Sequence, residues 1–248
     1  MIQLENIYKS FKGNAVLKGI NLNLEKGEIM ALVGMSGYGK SVLLKCIAGL
    51  IKPEEGRVVI DGNDINTLKV KELFSYWKRI GFLFQGGALF ESMTVFENIA
   101  FPLKEKTKLH HKEIRERVIK QIEEVGLADS EEKYPSQLSG GMRKRTALAR
   151  ELVWEPEIML FDEPTTGLDP IISHAILNLI KDLHRRLNFT AILVTHELSK
   201  VFEIVNRVAM IHKGKIEVVG SVNDITNSEN PVVRQFINGE VEGPISFR

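Results

Sequence analysis

The sequence predicts an α/β protein whose mainly parallel sheet is covered by helices and carries an inserted helical lobe. Three observations lead to this fold class. Short apolar runs alternate with helical patterns towards both ends of the chain, which is typical of βα units and a parallel sheet. A glycine-rich loop joins a strand to a helix at residues 34–41, and residues 94–154 have a mostly helical pattern.

The first part of the chain is rich in predicted strands. Residues 2–7 and 16–24 alternate partly between apolar and polar side chains and are bounded by Lys, Gly and Asn turns. Residues 28–33 form a short apolar run that ends at Gly34, and apolar residues then recur at helical spacing. Further strands are predicted at residues 57–60 and 79–84, with a helix at residues 69–77 between them.

The middle and the end of the chain differ in pattern. Residues 111–124 are strongly charged with apolar positions one turn apart, which predicts a helix with one buried stripe, and Gly126 lies where a C-cap glycine is expected. The remaining predicted elements are helices at 143–153, 170–187 and 198–205, strands at 157–161 and 190–195, and a hairpin of residues 208–212 and 215–219. Residues 239–248 contain two glycines and a proline and are predicted to form an extended tail.

Charge and composition exclude several classes of partner. The 248 residues carry a net charge of +1, so bulk charge favours neither nucleic acid nor an anionic membrane. The one cysteine, Cys46, cannot form an internal disulfide, which fits a reducing compartment. The first residues lack the pattern of a secretion signal, and no apolar run approaches the roughly 20 residues that cross a bilayer. We therefore expect a soluble chain that reaches any membrane through a partner.

Residues 34–41, the phosphate loop, read GMSGYGKS and match the pattern G-x-x-x-x-G-K-[S/T]. Glycines allow a tight turn that points successive backbone N–H groups at a phosphate, and the following helix adds its positive dipole end. In such a loop Lys40 reaches the β- and γ-phosphates of a nucleotide, and the Ser41 hydroxyl is a ligand of Mg²⁺. The bulky Tyr38 is expected to point away from the phosphates.

Three predicted core strands are followed by side chains suited to nucleotide hydrolysis. Asp162 and Glu163 end an apolar strand, where Asp162 can hold Mg²⁺ through water and Glu163 can orient or deprotonate an attacking water. Gln85 follows a second strand and could touch Mg²⁺ or the water, although a glutamine at a strand end is by itself usually a loop residue. His196 follows a third strand and can hydrogen-bond a γ-phosphate. The other histidines lack metal-ligand spacing.

Residues 138–142 read LSGGM and open a helix, so Ser139 is a natural N-cap and the two glycines free backbone N–H groups. This segment is a second anion site, and it lies in the inserted lobe rather than in the core. If one nucleotide cannot touch both sites of one chain, two copies must share each nucleotide. The pattern therefore favours a head-to-tail sandwich dimer with two ATP molecules, with a plain capped helix as the alternative.

The motifs that carry a family resemblance are, in order, the phosphate loop, Gln85, LSGG at 138–141, Asp162 and Glu163, Gly-Leu-Asp at 167–169, and His196. In this order they resemble the ATPases of ABC transporters, over residues 1–238. The resemblance implies a P-loop NTPase (RecA-like) core of residues 1–86 and 153–228, with an N-terminal antiparallel β subdomain, and an inserted α-helical subdomain of residues 87–152. It implies ATP hydrolysis coupled to transport, with ATP and Mg²⁺ bound, and residues 239–248 form a tail outside this domain.

The resemblance also implies roles at the second anion site. Ser139, Gly140 and Gly141 would bind the γ-phosphate of ATP held by a second copy of the chain, and Asp169 would lie in the loop that links the two sites. The usual signature continues with glutamine, whereas this chain has Met142, which cannot donate the same hydrogen bond.

At the other end of the nucleotide, the resemblance implies that Phe11 stacks on adenine with Val16 nearby, and Tyr8 is a competing candidate. The predicted nucleotide-binding residues are Phe11, Val16, Gly34, Met35, Ser36, Gly37, Tyr38, Gly39, Lys40, Ser41, Val42, Ser139, Gly140, Gly141 and Asp169. The predicted catalytic residues are Glu163, His196 and Gln85, and the predicted metal ligands are Ser41, Gln85 and Asp162.

A narrower resemblance lies in residues 83–98, in LSGGM, and in the ending at residues 233–248. These segments are similar to the ATPases of Mla-type lipid transport systems. In that family the ATPase works with a membrane permease and an MCE-domain lipid-binding protein, often also with a small STAS-domain subunit, and moves phospholipid between bacterial membranes. The resemblance implies a cytoplasmic protein, peripheral on the inner membrane, with no nucleic-acid partner.

Three alternative functions can be weighed from the sequence. An amino-acid importer or a drug exporter could carry the same motifs, because the transported substrate binds to other subunits. A soluble ABC ATPase acting on DNA or ribosomes is disfavoured, because the chain has neither long coiled coils nor room for a second ATPase domain. A non-enzymatic ATP-binding scaffold is disfavoured by Glu163 and His196.

Overall fold

The computed structural model describes residues 1–246, which form two compact units. The first unit contains Met1–Tyr76 and the residues from Thr190 onward, and the second contains Trp77–Phe189. The strands are β1 (Ile2–Phe11), β2 (Asn14–Leu24), β3 (Ile29–Val33), β4 (Glu55–Ile60), β5 (Asn63–Asp64), β6 (Ile80–Leu83), β7 (Ile158–Asp162), β8 (Thr190–Val194), β9 (Arg207–His212) and β10 (Lys215–Ser221). The helices are α1 (Lys40–Ile47), α2 (Val70–Trp77), α3 (Val95–Lys106), α4 (His111–Glu124), α5 (Gly140–Leu152), α6 (Pro170–Leu187), α7 (Leu198–Val201), α8 (Val222–Thr226) and α9 (Pro231–Asn238).

An antiparallel sheet in the order β2, β1, β4, β5 forms one part of the first unit. Alternation along β1 buries Ile2, Leu4 and Ile7, so one face of this sheet belongs to the core. Lys12 and Gly13 turn the β1–β2 hairpin, and both have positive φ, as two-residue hairpin turns favour. The strands predicted at the start of the chain are confirmed, and both are longer than expected.

The other sheet of the first unit is built around β3. This strand pairs in parallel with β8 on one side and with β9 on the other, while β10 pairs antiparallel with β9. All residues of β3 and β8 are buried, because parallel strands covered on both faces need apolar side chains throughout. The predicted α/β fold is confirmed, and so is the hairpin with its turn at Lys213 and Gly214.

The second unit combines the parallel pair β6–β7 with a group of helices. Helix α4 begins and ends where its charged repeat predicts, and Ile114, Val118 and Ile122 form its buried stripe. These side chains pack with residues of α3 and α5 in one apolar cluster. Gly126 lies just beyond the helix with a φ of 69°, as a left-handed C-terminal residue requires.

Helix α7 is shorter than the predicted helix over residues 198–205. It stops at Val201 because Asn206 is bound to β3 a few residues later. The Asn206 N–H donates to the Ile29 carbonyl, and the Asn206 side-chain oxygen accepts from the Ile29 N–H, both at 2.8 Å. The chain therefore leaves helical geometry early to enter the sheet.

The prediction of an extended tail over residues 239–248 is wrong for residues 239–246, which bend back and bury Ile245. The Gln235 side chain of α9 accepts from the Ile245 N–H at 2.7 Å and donates to the carbonyls of Ile245 and Glu240 at 3.2 Å. A buried amide that pairs both backbone groups of Ile245 removes the cost of taking them out of water. Residues 247–248 lie outside the described residues. Helices α8 and α9, absent from the sequence prediction, begin at the polar caps Ser221 and Asn230.

The predicted division into a core and a helical subdomain at residues 87–152 stays a prediction. Those residues lie within the second unit, which also contains β6, β7 and α6. Among the helices of residues 1–246, none is both long enough and apolar enough to span a membrane.

Candidate active site

The phosphate loop lies between β3 and α1 in the first unit. Gly34, Gly37 and Gly39 have φ values of 142°, 81° and 95°, in the region that favours glycine. A Cβ on Gly34 would lie 2.2 Å from the carbonyl oxygen of Ile211, and a Cβ on Gly39 would lie 2.9 Å from a methyl of Val16. The loop therefore requires glycine for its turns and for its close approach to β9 and β2.

Lys40 opens α1 and is only 6% exposed. Its ammonium donates hydrogen bonds to the carbonyls of Gly34 at 2.7 Å and Met35 at 2.8 Å. The first turn of α1 contains no acidic side chain, so the positive end of the helix dipole is not neutralised there. Together with the half-buried Ser41, this places an ammonium, a hydroxyl and a helix N-terminus at the end of one loop, the arrangement that suits a phosphate.

Four further residues that the sequence analysis considered for the site lie in the first unit. Tyr38 packs edge-on against His212, with ring centroids 5.3 Å apart. His196 is exposed shortly after β8. Phe11 and Tyr8, the two candidates for stacking on adenine, are 43% and 41% exposed, so both rings stay available for that role.

In the second unit, β7 ends at the buried Asp162, and Glu163 follows with a φ of 51°. This left-handed conformation costs a residue other than glycine about 1–2 kcal/mol, and such strain persists where the surroundings impose it. The Glu163 carboxylate oxygen Oε2 accepts from the Thr166 hydroxyl at 2.7 Å and from the Gln85 side-chain amide at 3.3 Å. Parallel pairing of β6 and β7 explains the second contact, because it brings the residues that follow both strands to one edge.

The LSGG segment forms the N-terminus of α5. Ser139 is the N-cap, and its hydroxyl accepts from the Met142 N–H at 3.3 Å. A Cβ on Gly140 would lie 3.1 Å from a methyl of Leu168, and one on Gly141 would lie 2.7 Å from a methyl of Ile172. Sequence reasoning assigned these glycines to backbone N–H access, and the structure adds a steric requirement imposed by the start of α6.

Asp169 and Met142 also have local structural roles. Asp169 is the N-cap of α6, and its Oδ1 accepts from the N–H groups of Ile171 and Ile172, both at 3.0 Å. Met142 is half-buried and packs against the helical apolar cluster. Its side chain therefore contributes to the helical core, and the backbone N–H groups at the start of α5 remain the candidates for binding an anion.

Two buried cations on α5 were missed by sequence reasoning. Lys144 donates to the carbonyl oxygen of Gln85, and Arg150 donates to the carbonyls of residues 87–88 at 3.0 and 2.7 Å. Each lies three residues from the fully buried Ala147. Helical spacing is therefore the signal that could have placed them on the packed side of the helix.

The predicted metal ligands have the chemistry that Mg²⁺ prefers. Ser41 offers a hydroxyl, Asp162 a carboxylate at the end of a buried strand, and Gln85 an amide oxygen. Hard oxygen donors of this kind bind Mg²⁺, which keeps several waters and also uses the phosphates of its substrate. The side-chain nitrogen Nε2 of Gln85 contacts Glu163. The side-chain oxygen Oε1 is therefore the Gln85 atom that would face a metal. Each of the three donors therefore has chemistry that fits the ion.

Comparisons with known proteins agree with these motifs. The ABC transporter family matches residues 17–166. The intermembrane phospholipid transport system ATP-binding protein MlaF of Haemophilus influenzae is 41% identical over 248 residues, covering all of this chain and 94% of MlaF. The methionine import ATP-binding protein MetN 1 of Listeria monocytogenes is 43% identical over 245 residues, covering 97% of this chain and 72% of MetN 1.

A solved structure gives the same result at the level of the fold. The ATP-binding cassette MJ0796, solved as a dimer in a post-hydrolysis state bound to ADP and Pi, has a TM-score of 0.83 and 34% sequence identity, covering 90% of this chain and 99% of that one. The resemblance drawn from the ordered motifs is thereby confirmed. With a family match over more than half of its length and relatives that align along nearly all of it, the chain belongs to the ABC transporter family and is an ATP-hydrolysing subunit.

Proposed function

We propose that this ATPase powers the transport of phospholipid across or between bacterial membranes through a separate permease. The observation that carries the proposal is the 41% identity to MlaF over the whole chain and 94% of MlaF. A match that runs nearly end to end extends well beyond the residues of the ATP site. The resemblance of residues 83–98 to lipid-transport ATPases supports the same assignment.

An ATPase of another transporter, such as an amino-acid importer, is the second candidate. The 43% identity to MetN 1 favours it. This chain accounts for 72% of MetN 1, compared with 94% of MlaF. Since the two identities are nearly equal, the difference in coverage makes phospholipid the preferred substrate class.

The phosphate loop would hold the triphosphate of ATP through its backbone N–H groups. The Lys40 ammonium, which bonds two loop carbonyls in this structure, would exchange them for β- and γ-phosphate oxygens. Bound through Ser41, Asp162 and Gln85, Mg²⁺ would neutralise charge on the phosphate oxygens. Phe11 or Tyr8 would stack on the adenine ring.

Hydrolysis is assigned to the residues that follow the core strands. Glu163 would orient or deprotonate the attacking water, and its carboxylate is already held by Gln85 and Thr166. His196 would hydrogen-bond the γ-phosphate. Preorganised donors of this kind act most strongly once closure excludes water from the site.

A second copy of the chain would complete the site. The N-terminus of its α5, with Ser139, Gly140 and Gly141, would close over the γ-phosphate, and Asp169 would lie in the loop between the two sites. The dimeric post-hydrolysis structure of MJ0796 supports this arrangement. Loss of the bridging phosphate would let the dimer open, a rigid-body switch biased by the nucleotide.

Residues 85–98 would carry this movement to the permease. The segment is held firmly: the fully buried Asn98 side chain accepts from the Phe90 N–H at 2.9 Å and donates to the carbonyls of Phe90, Met93 and Thr94 at 3.0–3.1 Å. A rigid segment transmits displacement better than a mobile one. The proposed partners are an inner-membrane permease, an MCE-domain lipid-binding protein and a STAS-domain subunit, with this chain on the cytoplasmic face.

The decisive experiment purifies the tagged chain with its membrane subunits and reconstitutes the complex in liposomes. Transfer of a labelled phospholipid and uptake of labelled methionine are measured in parallel, with a Glu163→Gln complex as the matched control. We expect ATP-dependent phospholipid transfer by the wild-type complex and none by the control. Methionine uptake without lipid transfer would instead establish the second candidate.

A further inference from the structure

Lys144 lies in the second turn of α5, which we call the signature helix because its N-cap is Ser139 of the LSGG segment. Its side chain faces the interior, and the residue is only 7% exposed. A buried ammonium is costly unless it is paired, and apolar side chains of similar size would pack the same space without that cost. A cation at this position therefore calls for a partner, and the partners are residues of the proposed hydrolytic site.

The first partner is the backbone of Gln85, whose carbonyl oxygen accepts a hydrogen bond from the Lys144 ammonium. The side chain of the same Gln85 donates to the Glu163 carboxylate at 3.3 Å. Gln85 is thus bonded to Lys144 of α5 through its backbone and to Glu163 through its side chain. The contacts form a short chain from the signature helix to the proposed base.

The second set of partners acts through space. Burial lowers the pKa of Lys144, and the carboxylates of Glu163 and Asp162 oppose this effect by favouring the charged ammonium. Lys144 therefore adds a positive charge close to both carboxylates.

Packing of the loop does not by itself explain the cation. Arg150 already donates to the carbonyls of residues 87–88, and the Asn98 side chain bonds both the N–H and the carbonyl of Phe90. These contacts hold the segment after Gln85 without Lys144. What Lys144 adds is a contact at Gln85 itself and a positive charge near Glu163.

We propose that Lys144 is a positioning residue that connects the signature helix to Gln85 and Glu163, so that closure of this helix on a nucleotide sets the hydrolytic carboxylate. The proposal rests on the roles proposed above for Gln85 and Glu163. It assigns no contact with ATP to Lys144, so the residue acts on turnover and leaves nucleotide affinity nearly unchanged.

The test compares Lys144→Met, which keeps the length of the side chain but loses its charge, with Lys144→Arg, which keeps a cation and donors. Steady-state hydrolysis of Mg-ATP by the purified full chain is measured together with the melting temperature. We expect Lys144→Met to lower kcat by about 30-fold or more with KM within about threefold of wild type, because a small displacement of a catalytic group is enough for such a loss. Lys144→Arg should recover most of the lost kcat.

A double variant separates positioning from general weakening of the fold. If Lys144 acts through Glu163, adding Lys144→Met to Glu163→Gln leaves the residual rate of the single Glu163→Gln variant unchanged, because the group it positions is already disabled. A further loss in the double variant, or a fall in kcat that follows the melting temperature and is not recovered by Lys144→Arg, would overturn the proposal.

Arg143→Met is the matched control on the same helix. Arg143 pairs with Glu91 at the surface, and exposed pairs contribute little, so kcat should stay within about twofold of wild type. Different results would contradict the hydrolytic site and the positioning role. Normal turnover by Glu163→Gln would overturn the proposed hydrolytic site, whereas an inactive Glu163→Gln with a fully active Lys144→Met would overturn the positioning role alone.

Discussion

The phosphate loop and the start of α5 are both glycine-rich and both end at a helix N-terminus, but only the phosphate loop requires glycine for its backbone conformation. In the phosphate loop, Gly37 has a φ of 81° and open space around it, so its backbone conformation is what excludes a side chain. At the start of α5, Gly140 and Gly141 have no positive φ, but an added Cβ would crowd Leu168 and, more closely, Ile172. Segments with the same composition can therefore meet different physical demands.

The difference extends to their charges. The phosphate loop contains its own cation, the buried Lys40, which bonds loop carbonyls. In α5 the first buried cation is Lys144, and its bond goes to Gln85, 59 residues away in the chain. The phosphate loop is thus a self-contained candidate anion site, whereas α5 is connected to Gln85 and, through its side chain, to Glu163.

The largest expected effect tests whether the two segments act on one nucleotide from two copies of the chain. Glu163→Gln should bind ATP normally and lower its hydrolysis by about 10²–10⁴-fold, because the group that activates water is lost. ATP should then accumulate a long-lived dimer, visible in analytical ultracentrifugation. A species that remains monomeric in saturating ATP would contradict the sandwich arrangement for the isolated subunit.

The next effect tests the self-contained site. Lys40→Ala should weaken ATP binding by about 100-fold or more in calorimetry, because a buried, charge-assisted contact to the phosphates is lost. Lys144→Met, which removes a buried cation of the other segment, serves as the comparison and should bind ATP with nearly wild-type affinity. Unchanged affinity in Lys40→Ala would remove the basis of the phosphate-loop assignment.

A smaller effect tests the steric explanation at α5. In Gly141→Ala, overpacking against Ile172 should lower the free energy of unfolding by about 1–3 kcal/mol. The better helix propensity of alanine should offset roughly 1 kcal/mol of this loss. Combining it with Ile172→Ala removes the clash. Chemical denaturation of both single variants and the double should therefore give a favourable coupling energy of about 1–2 kcal/mol, and strictly additive effects would argue against steric exclusion.

The smallest effect tests the backbone explanation in the phosphate loop. Gly37→Ala should cost about 1–2 kcal/mol although nothing lies within 4 Å of the added methyl. Gly37→Asn should cost less, because asparagine tolerates left-handed geometry better than alanine does. Thermal unfolding of the two variants checks this order, and equal stability of Gly37→Ala and wild type would show that the loop does not hold this conformation in solution.

Much of the local structure could be predicted from the sequence. The strand, loop and helix around the phosphate loop, the bounds of α4 and α6, and the cap at Ser139 all follow from side-chain period, glycine position and capping chemistry within a few residues. The tail could not be predicted in this way. Its bend depends on the Gln235 amide pairing both backbone groups of Ile245, and a glycine- and proline-rich composition is also typical of an open tail.

The sequence by itself determined the family, and it predicted the phosphate loop and the candidate hydrolytic side chains, because each motif is a short run of residues whose chemistry can be recognised without the fold. Only the tertiary structure decided that Gln85 touches Glu163 across 78 residues, that Lys144 bonds Gln85, and that Ile172 excludes a side chain at Gly141. The physical reason is that such contacts depend on which strands pair and which helices pack together. Those choices are set by the free energy of the whole chain, not by any short segment of it.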